Sequence, residues 1–466
     1  MDAARQRLAQ AGLVAVLLLA GCGSSAPPHR SALRLALPVL PRTLDPAKAG
    51  DMPSLNVTHE LYAGLTRFSG RGVVPDLAES WDVQQGGLVW VFQLRKDLRW
   101  SDDRRLTAQD VRRSWLRALA PATGAPLAGP DLGIVRGARA YHTSGRGAVG
   151  IEAPDDRTLR VTLQHPIPWL DQLVAHPIAA AYRPNAYSGP FRLAGRNVLD
   201  RNFNYWNADA VKSGRLVLTT RKKGADVILP RGLNAPGLPW VQTAPTPYGD
   251  RWKDLPTLAV DLLWITSRLP AAERAAIAET AGDGSGGDLV PLAMPGHDDV
   301  VSQGGSLRRP SSKHLSLAYT TEAPGAKGLA QGIAGYLGKT GVKVEVTPFP
   351  SLRALLAARG FDLVLTGWSS KIFDEYNFFD LFTCGSAFNV VHWCEPGYDA
   401  LMRRAVRTRD DTARWAIERR ILMKLRQGAP AVPTYQETEH VWLAPVVRGF
   451  SWSPIGFYEL SGLTRS

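Results

Sequence analysis

Few side chains in this 466-residue sequence combine type and spacing in a way that could do chemistry. The cysteines number three, Cys22, Cys384 and Cys394, and His392 stands two residues before the last of them. Thiolates and imidazole are zinc ligands, but Cys384, His392 and Cys394 make only three local ligands, and no second cluster supplies a fourth at a recognisable spacing. Closing a short loop with a Cys384–Cys394 disulfide is the better reading in an exported chain. Gly282-Asp-Gly284-Ser-Gly-Gly287 fits a dinucleotide fingerprint by its letters alone. It follows an Ala-rich helical run and precedes Leu-Val-Pro, whereas a dinucleotide site needs a strand before it and a helix after it. We read it as a connector. No G-x-S-x-G elbow and no HExxH occur, so hydrolase chemistry has no carrier and an enzyme is not expected. No cofactor is implied.

Cys22 has a different context. Arg5 and Arg7 precede an apolar run from Ala11 to Ala20, too short to span a bilayer but fit for a signal peptide. The run ends in Leu19-Ala20-Gly21-Cys22, followed by Gly-Ser-Ser-Ala-Pro-Pro. This resembles the bacterial lipobox, which implies a leader over 1–21, a lipidated Cys22 and a polar tether over 22–30. Several acyl chains on one residue anchor stably where a single chain is marginal. The expected location is the outer face of the cytoplasmic membrane.

The composition is that of a globular protein, with 45% hydrophobic and 21% charged residues and a net charge of +13. The basic residues are scattered in small groups such as Arg104-Arg105 and Arg221-Lys222-Lys223. None forms a basic run with interleaved aromatics, so nucleic acid is not an expected partner.

The elements that position everything else begin at Glu60. Trp90, Phe92 and Leu94 alternate with Val91, Gln93 and Arg95, the pattern of a strand with one buried face. Thr107-Ala-Gln-Asp110 is a capping box opening a helix that buries Val111, Trp115 and Leu119 and stops before Pro121. From Leu315 the order is strand (to Tyr319), helix (325–340, closed by Gly341), strand (342–346), helix (352–359), strand (361–366). That order predicts a parallel sheet with helices packed on it. Ligands bind beyond the carboxyl ends of such strands, which makes the residues after Thr366 candidates by topology. Further helices are predicted over 398–406 and 411–427, the second ended by Gly428 and Pro430.

ELYAGLTRF from Glu60, VPDLAESWDV, the F-x-LRK-x-L-x-WSD run and LTAxDV closely resemble the signature region of the family 5 solute-binding proteins. These are the extracytoplasmic receptors of peptide, dipeptide and nickel ABC importers. Asp103 stands where the family has Gly, at a turn suited to positive φ. Thr43-Leu-Asp45-Pro46, Ser188-Gly-Pro-Phe-Arg-Leu193, Arg201-Asn-Phe-Asn-Tyr-Trp206, Gly367-Trp368-Ser-Ser-Lys371-Ile-Phe-Asp374 and the His392 to Asp399 stretch match further family elements. The likeness is weakest from about Pro270 to Lys313.

The resemblance implies an α/β, type II periplasmic-binding-protein-like fold. It would be bilobal with an extra third subdomain, with mixed sheets and helices on both faces. Lobe I would comprise 31–50, 188–256 and 436–466, subdomain II 51–187, and lobe III 257–435. It also implies a monomeric receptor that carries a peptide or peptide-like solute to ABC permease subunits. The alternative is an envelope lipoprotein of the same descent that has lost transport and works through a protein partner. Candidate ligand residues are Thr43, Asp45, Tyr319, Trp368, Lys371 and Asp374. In the peptide-binding members an Asp at the position of Lys371 holds the ligand's ammonium. A lysine facing the cleft there repels an ammonium and favours an anion, with Trp368 as an apolar wall; the alternatives are that Asp374, three residues on, compensates or that Lys371 points outward.

Overall fold

The computed structural model describes residues 32–229, 252–281, 289–291, 293–294, 309–321, 325–358, 360–386 and 388–466. The leader, Cys22 and the Gly282–Gly287 connector lie outside the described residues. No helix among those described is long and apolar enough to cross a membrane.

Strand β1 (Leu33–Ala36) leads through the Thr43–Pro46 loop into α1 (Met52–Leu61). Asp51 starts this helix by accepting the Ser54 amide at 3.0 Å, and Pro53 fills a first-turn position where no amide is needed. From Pro53 to Leu61 every residue is buried, so each polar side chain must find a partner. Asn56 donates to the Gly456 carbonyl at 3.0 Å and accepts the Tyr458 amide at 3.1 Å. Glu60 accepts the Leu460 amide at 3.0 Å and the Arg67 guanidinium at 2.9 Å. The helix therefore staples the C-terminal segment to β2 (Thr66–Ser69), the first strand of a hairpin with β3 (Gly72–Pro75).

Four strands follow: β4 (Ala78–Gln84), β5 (Val89–Leu94), β6 (Ile151–Glu152) and β7 (Thr158–Thr162), paired antiparallel in the order β4-β5-β7-β6. Trp90, Phe92 and Leu94 are buried, and Val91 and Gln93 between them are partly exposed, as the alternation requires. Helix α2 (Ala108–Leu119) packs on this sheet through Val111, Trp115 and Leu119. The Asp110 carboxylate takes both the amide (2.9 Å) and the hydroxyl (3.1 Å) of Thr107. Asp103 does sit in the left-handed region, φ 67°, and accepts a bond from the Asn204 side chain at 3.1 Å.

The motifs of this first part turn out to hold one another. Asp76 is buried, and it accepts from the Tyr205 hydroxyl at 2.9 Å and the Trp206 indole at 2.6 Å. Ser188 takes the Ala63 amide at 2.9 Å and donates to the Ala181 carbonyl at 3.0 Å. A Cβ on Gly189 would lie 2.6 Å from the Glu60 carbonyl oxygen, so only glycine allows that approach.

The rest of the chain builds one ten-stranded sheet. Its strands are β1, β8 (Phe191–Gly195), β9 (Val198–Arg201), β10 (Arg215–Thr219), β11 (Val227–Ile228), β12 (Trp252–Ile265), β13 (His314–Thr320), β14 (Lys343–Phe349), β15 (Leu363–Ser369) and β16 (Ala431–Leu443). The order is β14-β13-β15-β12-β16-β11-β1-β10-β9-β8. The β13-β14 and β13-β15 pairs are parallel, joined by α3 (Ala326–Lys339) and α4 (Leu352–Ala358).

β12 and β16 are long, 14 and 13 residues, and among the described strands they alone run between the two ends of the sheet. Their antiparallel register shifts between Pro256 and Val260 and again between Asp261 and Leu262. Bulges of this kind bend and twist a strand pair. The crossing thus lies at 256–262, and Leu263–Ile265 is the far end of the strand.

Two helices, α5 (Pro396–Ala405) and α6 (Asp411–Gly428), cover one face of that half. The left-handed residue ending α6 is Ala429 (φ 43°), and Gly428 is still helical. The glycine serves packing: a Cβ there would sit 2.8 Å from the Trp393 indole.

Candidate ligand-binding site

β15 continues three residues past Thr366, pairing Gly367 with Asp261 and Trp368 with Val260 on β12. Gly367 and Trp368 are therefore strand residues at the crossing, not loop residues beyond it. Paired residues of antiparallel strands share a face, so Asp261, Gly367 and Tyr435 (the β16 partner of Asp261) lie together. A Cβ on Gly367 would be 2.7 Å from Asp261 Oδ1 and 3.7 Å from Glu437 Oε1. The bare glycine is what admits two carboxylates to this point.

Burial pushes Asp261 up to about 6. Burial, then the charges of Asp261 and Glu439, pushes Glu437 up to about 8. Near neutral pH one carboxylate is ionised and the other keeps its proton. The Tyr435 phenol rises as well, through burial and then these two acids. Neither acid was singled out from the sequence. The available signal was Asp261, a lone charge in the otherwise apolar run Leu258 to Ile265.

Trp368 points to the opposite face, with its ring edge-on to Phe388 at 4.9 Å and its indole N–H buried without a partner. Phe388 is about half exposed, at 47%. Its loop is closed by the Cys384–Cys394 disulfide, S–S 2.08 Å, so those sulfurs are not metal ligands.

The other candidate residues are scattered. Asp45 accepts the Arg117 guanidinium through both oxygens, one at 3.0 Å, and Thr43 caps its backbone, accepting the Asp45 amide at 3.1 Å. Arg117 also lies over the Tyr182 ring, 4.4 Å from its centroid. That carboxylate is spent within the fold. Tyr319 is buried in the core beside Leu263 and Leu365 and lines no open surface.

Asp374 is buried against α6, where Arg414 reaches it at 3.0 Å. Glu418 on the same helix is also buried, and burial followed by repulsion from Asp374 pushes it up to about 9. Asp374 thus balances a helix cation and offers nothing to a solute. Lys371 is not a free cation either. Its ammonium is 2.7 Å from Asp131, so the charge expected to draw an anion is already matched.

A sheet split between two halves and joined by two long strands, with acids and aromatics at the crossing, is the architecture of a two-lobed binding protein of type II. Solved structures agree. The unliganded open form of the murein tripeptide-binding protein MppA superposes with TM-score 0.78 at 20% identity, covering 94% of this chain and 98% of that one. The Haemophilus influenzae OppA complex with RPPGFSPFR gives 0.67 at 19%, covering 94% and 99%.

Residues 72–228 match the model of the bacterial extracellular solute-binding proteins, family 5 Middle. The probable deoxycholate-binding periplasmic protein YgiS of Escherichia coli (strain K12) is 27% identical, covering 88% of this chain and 89% of its own. The periplasmic oligopeptide-binding protein OppA of the same strain is 25% identical, covering 88% of each. The chain is thus similar to the family 5 extracellular solute-binding proteins, through the family's middle region and through relatives matched over most of its length. The relatives it matches are binding proteins of transporters, not enzymes.

Proposed function

We propose that the protein is a lipid-anchored extracytoplasmic receptor of an ABC importer. It takes a peptide or peptide-like solute between its lobes and delivers it to a membrane permease by hinge closure. The lobes are the three already delimited: 31–50 with 188–256 and 436–466, then 51–187, and 257–435. Anchoring is through Cys22. One observation carries the reading: β12 and β16 run between the two sheet ends, and their register breaks beside Asp261, Gly367 and Glu437. A bend there opens and closes a cleft, and the groups beside it meet whatever the cleft holds.

The relatives' names include both a deoxycholate binder and oligopeptide binders, so likeness to the family leaves the solute class open. Local charge narrows it. With Lys371 matched by Asp131, the uncompensated groups at the crossing are acids. A solute presenting a cation to Asp261 and Glu437, with an apolar group toward Trp368 and Phe388, fits them best.

The test is mass spectrometry of small molecules released from the protein purified without refolding, followed by calorimetric titration with what is found. A cationic peptide or amine is expected. Protein that carries no solute, and binds none from a mixed di- to pentapeptide pool, would instead support the scaffolding lipoprotein.

A further inference from the structure

Asp131 is a deeply buried carboxylate in contact with the 370–376 loop. It is 1% exposed, its Oδ1 receives the Lys371 ammonium at 2.7 Å, and its Oδ2 has no partner. The irregular turn Ala128–Leu132 delivers it there, closed so tightly that a Cβ on Gly133 would overlap the Gly129 carbonyl. Lys371 comes from 240 residues further along the chain and is 41% exposed.

The same loop is docked on subdomain II by other contacts. The His176 ring N–H donates to the Lys371 carbonyl at 2.8 Å, and the Phe373 amide donates to Gln172 Oε1 at 2.5 Å. The Tyr376 ring meets Trp169 at 4.7 Å, and Phe373 meets Phe68 at 6.3 Å.

A carboxylate removed from water needs a cation. The neighbouring bases do not supply one. Burial holds His176, and His59 beyond it, below the ordinary imidazole value, so both rings are neutral at pH 7. Arg67, further along the same side, is taken by Glu60 at 2.9 Å. Lys371 is the cation bonded to Asp131 among the described residues, and it satisfies one oxygen of two.

We propose that Asp131 forms an ammonium-binding site at the seam between subdomain II and lobe III, and that Lys371 fills it as a tethered ligand, denying it to the free amino group of a solute. The specificity half rests on the reading of the chain as a solute receptor; the site itself does not. A primary ammonium suits it because its three N–H bonds are compact enough to serve both carboxylate oxygens, whereas a quaternary ammonium has none to give.

The experiment uses the full chain with Lys371→Ala and Lys371→Met, the second keeping most of the apolar stem. Thermal transition midpoints are recorded in n-butylammonium, methylammonium, tetramethylammonium and sodium chlorides at matched ionic strength. Both variants should lose about 2–4 °C in sodium chloride. Butylammonium and methylammonium should restore at least half of the loss with saturation, and tetramethylammonium none. The wild type should show no such selectivity, and Asp131→Asn in the Lys371→Ala background should abolish the rescue. Unchanged midpoints, or equal rescue by all cations, would overturn the site.

For the specificity half, Lys371→Ala should gain at least tenfold for trialanine over N-acetyl-trialanine, relative to wild type. Equal treatment of the two peptides would overturn it. Binding of neither by either protein would count against the receptor reading, and the thermal result, which needs no solute, would still decide the site.

Discussion

Replacing Glu437 by Gln changes one proton-binding group at the crossing while keeping its shape. In the folded wild type Glu437 is pushed up to about 8, first by burial and then by Asp261 and Glu439. In the unfolded chain it titrates near ~4.3. Between these values the folded state holds a proton that the unfolded state has given up. Stability therefore falls as pH rises through the window and stays low above it. The full shift corresponds to at most about 5 kcal/mol. Glu437 keeps some contact with water, which screens the cost, and roughly 2 kcal/mol is a fair working figure.

Gln carries no charge at any pH, so Glu437→Gln should lack this loss. Asp261, raised by burial, should keep its value of about 6. The assay is the thermal transition midpoint of wild type and variant from pH 5 to pH 9. Midpoints are preferred because lobes of a large chain need not unfold together. Other buried acids, Glu418 and Asp374 among them, contribute equally to both proteins and cancel in the difference. The variant should gain steadily on the wild type from about pH 5 to pH 8 and then hold its lead. Two parallel curves with a constant offset would refute the coupled pair. The same pair predicts that a cationic solute binds with release of a proton near pH 7, visible as a buffer-dependent heat in calorimetry.

Cys22→Ser should abolish lipidation, leaving protein that partitions into the aqueous phase on detergent phase separation, where wild type enters the detergent. Thiol labelling of denatured, unreduced protein should find neither Cys384 nor Cys394 free, and Cys394→Ser should cost about 2–3 kcal/mol as measured by urea midpoint. Arg414→Met leaves Asp374 buried without its cation; a loss of about 3 kcal/mol or more is expected in the same assay. Gly428→Ala drives a methyl to within 2.8 Å of the Trp393 indole and should cost about 1–3 kcal/mol, with a change in near-ultraviolet circular dichroism.

What the sequence disclosed and what it withheld divide along a physical line. Local rules sufficed where a short segment decides its own state. The Thr107–Asp110 cap, the alternation of Trp90, Phe92 and Leu94, and the strand-helix succession from His314 to Ser369 each declare themselves within a dozen residues. The charge balance of the cleft is set by partners that sequence distance hides. Lys371 read alone is a free cation, yet its counter-ion arrives from 240 residues away. Asp374 read alone is a ligand for an ammonium, yet α6 brings Arg414 to it from forty residues further along the chain.

Glu437 looked like one acid among several in a polar strand, and only the bulged register of β12 on β16 sets it beside Asp261 and under Gly367. A side chain's type states what it can bind, and topology decides whether that capacity is already used. The fold uses up Lys371, Asp45 and Asp374 in internal pairs and leaves Asp261 and Glu437 at the crossing, both pushed up by burial and Glu437 also by Asp261 and Glu439. On the function proposed above, the unspent charge at the crossing is negative although the whole chain carries +13, and that local charge would select the solute.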